Sequence, residues 1–118
     1  MKHIINASPL LKDYDLRDNF PVIIRVRNFN DVTAKAFTEQ MAKAHNTGQP
    51  IIPIIIDSYG GAVYSLMSMI SDVRSSKLPV AMIIQGKAMS CGAIFSTFGT
   101  KGMRYCDPYA TVMIHDVS

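Results

Sequence analysis

The chain has 118 residues, 48% of them apolar and 18% charged, the profile of one folded domain rather than of a disordered segment. Twelve basic against nine acidic residues leave a formal charge of +3, too small and too scattered to argue for nucleic-acid or membrane partners. The membrane-like uncharged stretch Ala88–Thr100 falls far short of the ~20 apolar residues of a spanning helix, and the N-terminus lacks the apolar core of a signal peptide. The two cysteines, Cys91 and Cys106, cannot close a zinc site and form no Cys-x-x-Cys pair. They read as reduced thiols of a cytoplasmic protein. No metal and no cofactor is expected.

Residues 1–20 read as an irregular arm holding Pro9 and the charged run Lys12-Asp13-Tyr14-Asp15. Residues 21–118 are expected to form a single α/β domain. Pro21 introduces the β-branched strand Val22–Val26. Asn30 or Asp31 is a suitable N-cap for a helix with Val32, Ala36, Phe37, Met41 and Ala44 on its apolar face. Asn46-Thr47-Gly48 ends that helix, with Gly48 suited to a left-handed cap. Ile51–Ile56 reads as a strand buried on both faces, with Pro53 placing its start near an edge or bulge. A tight loop, Asp57-Ser58-Tyr59-Gly60-Gly61, leads into an amphipathic helix carrying Val63, Leu66, Met67, Ile70 and Val73. Lys77-Leu78-Pro79 breaks it before the buried strand Val80–Ile84. Gly86–Gly92 reads as a small-residue turn, and Ile94, Phe95 and Phe98 as a short helix closing at Gly99. Met103–Tyr105 and Thr111–Ile114 read as short strands joined through Asp107-Pro108. Alternating strands and helices predict a largely parallel sheet.

Three loops at the carboxyl ends of strands, where open α/β sheets place their sites, carry the residues of interest. Gly60-Gly61 is a tight turn, or a backbone that approaches a ligand closely with its amides. Ser90, between Met89 and Cys91, is a helix cap, or a serine on a sharp strand-to-helix turn laid out like a nucleophile elbow. Lys87 is a solvated surface lysine, or half of a Ser-Lys dyad. Cys91 is a small buried filler, or itself a nucleophile. His115, ending an apolar strand, is a strand-end histidine, or a fixed general base. His3 and His45 are weaker candidates, His45 lying near a helix C-terminus that suits a cation. Acyl transfer needs a nucleophile, a base within reach and convergent amides for the oxyanion. Ser90, His115 and the Gly60-Gly61 loop supply one each, with the Cys91 amide as a second donor.

Together these segments resemble the proteolytic subunits of the Clp protease, the serine peptidases of the ATP-dependent Clp system. That family carries a Ser-Pro-Gly-Gly loop, a Ser-Met-Gly turn and a Met-Ile-His strand. The matching segments are Ser58-Tyr59-Gly60-Gly61, Ser90-Cys91-Gly92-Ala93 and Met113-Ile114-His115. Lys101-Gly102-Met103-Arg104-Tyr105 also resembles the family's Lys-Gly-x-Arg segment. The resemblance runs from Val22 to Ile114, its motifs in order and at similar spacing. It implies a crotonase-like α/β spiral, Ser90 as nucleophile, His115 as general base, and oxyanion amides from Gly61 and Cys91. It further implies that Gly60, Gly61, Ala62 and Val63 bind an extended, unfolded polypeptide by strand addition. The expected assembly is a homo-oligomeric ring fed by an AAA+ unfoldase.

The sequence departs from the family pattern at Tyr59, where the family has proline, and at Cys91, where it has methionine. The family's third triad member is an aspartate well beyond the histidine, past a strand-helix handle. With Ser118 as the last residue, the chain is expected to hold the head domain only, without the handle and C-terminal part. Asp116 is a poor orienter, since neighbours on a strand face opposite ways; Asp57 and Asp107 read more simply as turn residues. Two other functions are open: a non-catalytic Clp-like ring subunit, and a crotonase-type acyl-CoA enzyme, which would need no Ser-His pair and for which no acidic catalytic residue follows the Gly-Gly loop.

Overall fold

The computed structural model describes residues 20–114. The arm expected over residues 1–20 lies outside them save for Phe20, as do His115 and Asp116. The elements are strand β1 (Ile24–Val26), helix α1 (Asp31–Ala44), strand β2 (Ile52–Ser58), helix α2 (Val63–Arg74), strand β3 (Val80–Met89), helix α3 (Cys91–Ser96), and strands β4 (Arg104–Cys106) and β5 (Thr111–Met113). All pairings are parallel, in the order β1-β2-β3-β4, with β5 also on β3. The fold is thus the α/β architecture with a parallel sheet that the alternation predicts.

Strand β3 organises the sheet because it is long enough to serve three partners. Along one side it pairs with β2. Along the other, Met82–Ile84 pairs with β4 and Lys87–Met89 with β5. The turn expected over Gly86–Gly92 is therefore confined to Ser90: β5 supplies a pairing edge that keeps residues 87–89 extended. Alternation along the strands serves two cores. Ile52, Ile54, Ile56, Val80, Met82 and Ile84 face the helices, while Ile55, Ala81 and Ile83 pack with Tyr105 on the opposite side. Pro53 sits inside β2, not at its end. It pairs with Ala81, one residue before β1 begins at Ile24↔Ile54. Ile52 donates its N–H toward the β3 side, to the Pro79 carbonyl at 2.9 Å. By alternation the proline nitrogen faces the side where no β1 residue needs a donor.

Both long helices are rotated from the faces their sequence suggests. Helix α1 buries Ala34, Phe37, Met41 and Ala44, a stripe at helical spacing that leaves Val32 80% exposed and Ala36 exposed. Helix α2 buries Ser65, Leu66, Met69 and Val73, with Val63 and Met67 on the open side. A stripe with several apolar candidates is settled by the neighbouring surface, not by the helix alone. Asn30 is the N-cap of α1, its Oδ1 accepting the Thr33 N–H at 2.8 Å. The C-cap is His45 in ordinary helical geometry, and the left-handed Gly48 lies beyond it. The His45 ring bonds the Met41 carbonyl through Nδ1 at 2.7 Å, and its Nε2 accepts the Lys77 N–H at 3.2 Å. It links α1 to the loop after α2. Buried Gln49 ties the start of β1 to that of β2. Its amide nitrogen donates to the carbonyls of Val22 and Ile51 at 3.1 and 2.7 Å, and its oxygen accepts the Val22 N–H at 2.7 Å.

Candidate active site

The carboxyl ends of β2 and β3 meet at two loops that touch. Ser90 follows β3 with φ 53° and ψ −117°, and is the one non-glycine residue with positive φ among the described residues. A backbone held there costs about 1–3 kcal/mol and persists only where surroundings enforce it. The constraints are visible on both sides. The Ser90 N–H donates to the Met113 carbonyl of β5 at 2.7 Å, and its carbonyl accepts the Ile94 N–H of α3 at 3.1 Å. Ser90 is also the N-cap residue of α3, but its side chain makes no cap hydrogen bond. The hydroxyl does not do the work that the helix-cap reading assigns to it.

Gly60 and Gly61 close the other side. A side chain at Gly60 would put its Cβ 3.0 Å from the Ser90 Cβ and 3.4 Å from the Cys91 nitrogen. The Gly60 N–H is held inward by the Ser58 Oγ at 2.9 Å. Gly61 (φ +154°) lies against Phe29: a Cβ there would be 2.4 Å from the Phe29 carbonyl oxygen. The Ala62 N–H donates to that carbonyl at 2.7 Å. The loop is thus pressed between Phe29 and the Ser90 turn, and only glycines fit. Below it Phe95 stacks edge-on against Phe29 and Phe37, at 5.6 Å each, so the hydrophobic core supports both loops.

The structure therefore brings Gly60, Gly61, Ser90 and Cys91 together, with Ala62 and Val63 exposed beside them. His115 lies outside the described residues, but β5, which leads to it, runs beside Ser90 in the register Met89↔Met113. Cys91 is 1% exposed and its thiol contacts the Gly61 carbonyl at 3.4 Å, which fits a buried filler and not an open nucleophile. Lys87 is not a base for Ser90. Its ammonium is bonded to Asp57 Oδ1 at 2.7 Å and lies 4.5 Å over the Tyr59 ring. The Asp57 hydrogen bond holds its pKa above 10.5, the wrong direction for a proton acceptor. Asp57 is taken up by that ion pair. Asp107 accepts the Tyr109 N–H at 3.0 Å, the local turn bond expected of it. Among the described residues no group of His, Cys, Asp and Glu is arranged to hold a metal ion, and no helix is long and apolar enough to cross a membrane.

Sequence reasoning missed Phe29, the wall behind the glycine loop, because it resembles any core aromatic. It also missed the Asp57–Lys87 pair, whose members stand 30 positions apart.

Comparison with known proteins identifies the family. The model of the Clp protease family matches residues 13–118. The chain is 33% identical, over 92 residues, to the ATP-dependent Clp protease proteolytic subunit 1 of Chlamydia trachomatis serovar D; the match covers 74% of this chain and 47% of the relative. The subunit of the same name from serovar A matches to the same extent. The chain spans about half the length of these relatives. By a match over most of its length, on a parallel α/β sheet like that of a Clp-type head domain, the chain belongs to the Clp protease family.

Proposed function

We propose that the chain is part of a Clp-type serine endopeptidase subunit that cleaves unfolded polypeptides. The observation that carries this reading is the contact of the Gly60-Gly61 loop with a strained Ser90, whose amide is bonded to the strand leading to His115. Ser90 Oγ attacks the scissile carbonyl while His115 takes the hydroxyl proton. The carbonyl oxygen becomes an oxyanion received by the amides of Gly61 and Cys91. Collapse expels the amine, which leaves with the proton from His115, and the acyl group remains on Ser90. Water, giving a proton to His115, attacks the acyl carbon; the bond from that carbon to Ser90 Oγ then breaks, Oγ takes the proton back from His115, and the carboxylic acid product leaves. The exposed run Gly61–Val63 suits an extended peptide, because its other side is already bonded to Phe29. Such pairing reads backbone, and so fits substrates of little sequence preference. Assembly as a homo-oligomeric ring, delivery by an AAA+ unfoldase and a cytoplasmic location belong to the same proposal.

The test is reaction of the native protein with a fluorophosphonate probe, read by mass spectrometry of the peptide containing Ser90, alongside hydrolysis of a fluorogenic peptide. Labelling at Ser90 that disappears in Ser90→Ala together with hydrolysis is expected. An assembled particle that neither labels nor cleaves would instead be a structural ring subunit. Acyl-CoA binding without labelling would point to a crotonase-type enzyme.

A further inference from the structure

The pairing of β2 with β3 is interrupted immediately before the site. Ile56 pairs with Ile84, yet Ser58 pairs with Ala88, so two steps along β2 are matched by four along β3. The slack is a bulge through Gln85, Gly86 and Lys87. Both loops of the candidate site hang from the far side of this break, Gly60-Gly61 on β2 and Ser90 on β3. Backbone pairing alone would leave their relative position loosely held there.

Side chains span the gap. Lys87 Nζ donates to Asp57 Oδ1 at 2.7 Å, and the Tyr59 ring covers the ammonium at 4.5 Å. Gly86 makes room for the carboxylate: a Cβ on it would stand 2.9 Å from Asp57 Oδ1. Lys87 also lies opposite Thr111 in the β3–β5 register. One residue therefore joins the glycine loop, the nucleophile strand and the strand that leads to His115.

We propose that Asp57, Lys87 and Tyr59 form a clamp across the bulge, with Lys87 a positioning residue that sets the Gly60-Gly61 loop against Ser90. The proposal rests on Ser90 being the nucleophile. A partly exposed ion pair of this kind contributes little to global stability, whereas a displacement of about 1 Å between a nucleophile and its oxyanion amides costs as much as 10²-fold in rate. The clamp acts on rate, not on folding.

The experiment measures the inactivation rate constant and the apparent affinity of the fluorophosphonate probe separately, on native protein. Lys87→Met and Asp57→Asn each lower the inactivation rate constant by about 10- to 100-fold. Probe affinity changes by less than about threefold and the melting temperature by less than about 4 °C. Lys87→Arg, which keeps the ion pair, recovers most of the rate. The double variant Asp57→Asn with Lys87→Gln keeps a neutral hydrogen bond and labels faster than either Asp57→Asn or Lys87→Gln alone. Single variants that label at the wild-type rate would overturn the clamp, as would a double variant whose deficit is the plain product of its singles. So would a loss of labelling that tracks loss of folded protein in Lys87→Arg as well. Failure of the wild-type protein to label is a different result: it removes the peptidase reading, not the clamp alone.

Discussion

Substituting Gly61 by alanine attacks the candidate site at one backbone position. The new Cβ would lie 2.4 Å from the Phe29 carbonyl oxygen and 2.9 Å from both the Phe29 nitrogen and its Cβ. These are mainly backbone atoms of a residue only 2% exposed, so they cannot swing aside as a side-chain tip can. Holding alanine at φ +154° costs about 1–3 kcal/mol, and overpacking adds about 1–3 kcal/mol. The loop avoids this sum by lifting off Phe29. That breaks the 2.7 Å bond from the Ala62 N–H to the Phe29 carbonyl, worth about 1 kcal/mol, and withdraws the Gly61 amide from the oxyanion position proposed for it. The expected result is a small loss of stability in denaturant, about 1–2 kcal/mol, with a fall of about 10²–10³ in Ser90 labelling and peptide cleavage. Gly102→Ala is the control. It also demands a positive φ, +83°, but its Cβ would meet nothing within 4 Å, so it loses about 1 kcal/mol and no activity. If Gly61→Ala labels at the wild-type rate, or if both variants lose activity alike, the glycine loop is not part of the catalytic surface.

Ser90→Gly abolishes labelling while relieving the backbone at φ 53°, and is expected to gain about 1 kcal/mol in denaturant unfolding; a destabilised variant would contradict the strain argument. Phe95→Ala removes two edge-on aromatic contacts beneath the site and costs about 3–5 kcal/mol, with a loss under about 1 kcal/mol counting against that support. Gln49→Ala strands the buried Ile51 carbonyl and half-buried groups of Val22 and costs about 1–3 kcal/mol by the same measurement. The ammonium of Lys87 has its pKa raised above 10.5, first by the Asp57 hydrogen bond, with Tyr59 adding and Arg27 opposing. A raised folded-state value means the pair's contribution is complete below 10.5 and is lost as pH climbs through the folded value. In a Tyr59→Phe background, the stability difference between Lys87 and Lys87→Met proteins should stay level from about pH 7 to 10 and shrink only above. Shrinkage at neutral pH would mean that another group titrates.

Much of the layout was legible before any coordinates. The apolar runs Ile51–Ile56 and Val80–Ile84, the caps and breakers between them and the alternation of periods specify strands, helices and a parallel sheet, because each is a property of a few adjacent residues. Two of the candidate loops, Gly60-Gly61 and Ser90, were legible for the same reason, lying where β2 and β3 stop. What escaped was whatever depends on a partner distant in sequence. Helix α1 presents Ala34 and not Val32, because the sheet decides which side of an ambiguous stripe is covered. Strand β3 runs on to Met89 because β5 lies alongside it. Gly61 is obligatory because Phe29 stands behind it, and Asp57 is spoken for because Lys87 folds back across the bulge. Local chain chemistry sets which conformations a segment prefers. Only close packing between segments far apart in the chain sets which side chains and amides face the same few ångströms of space.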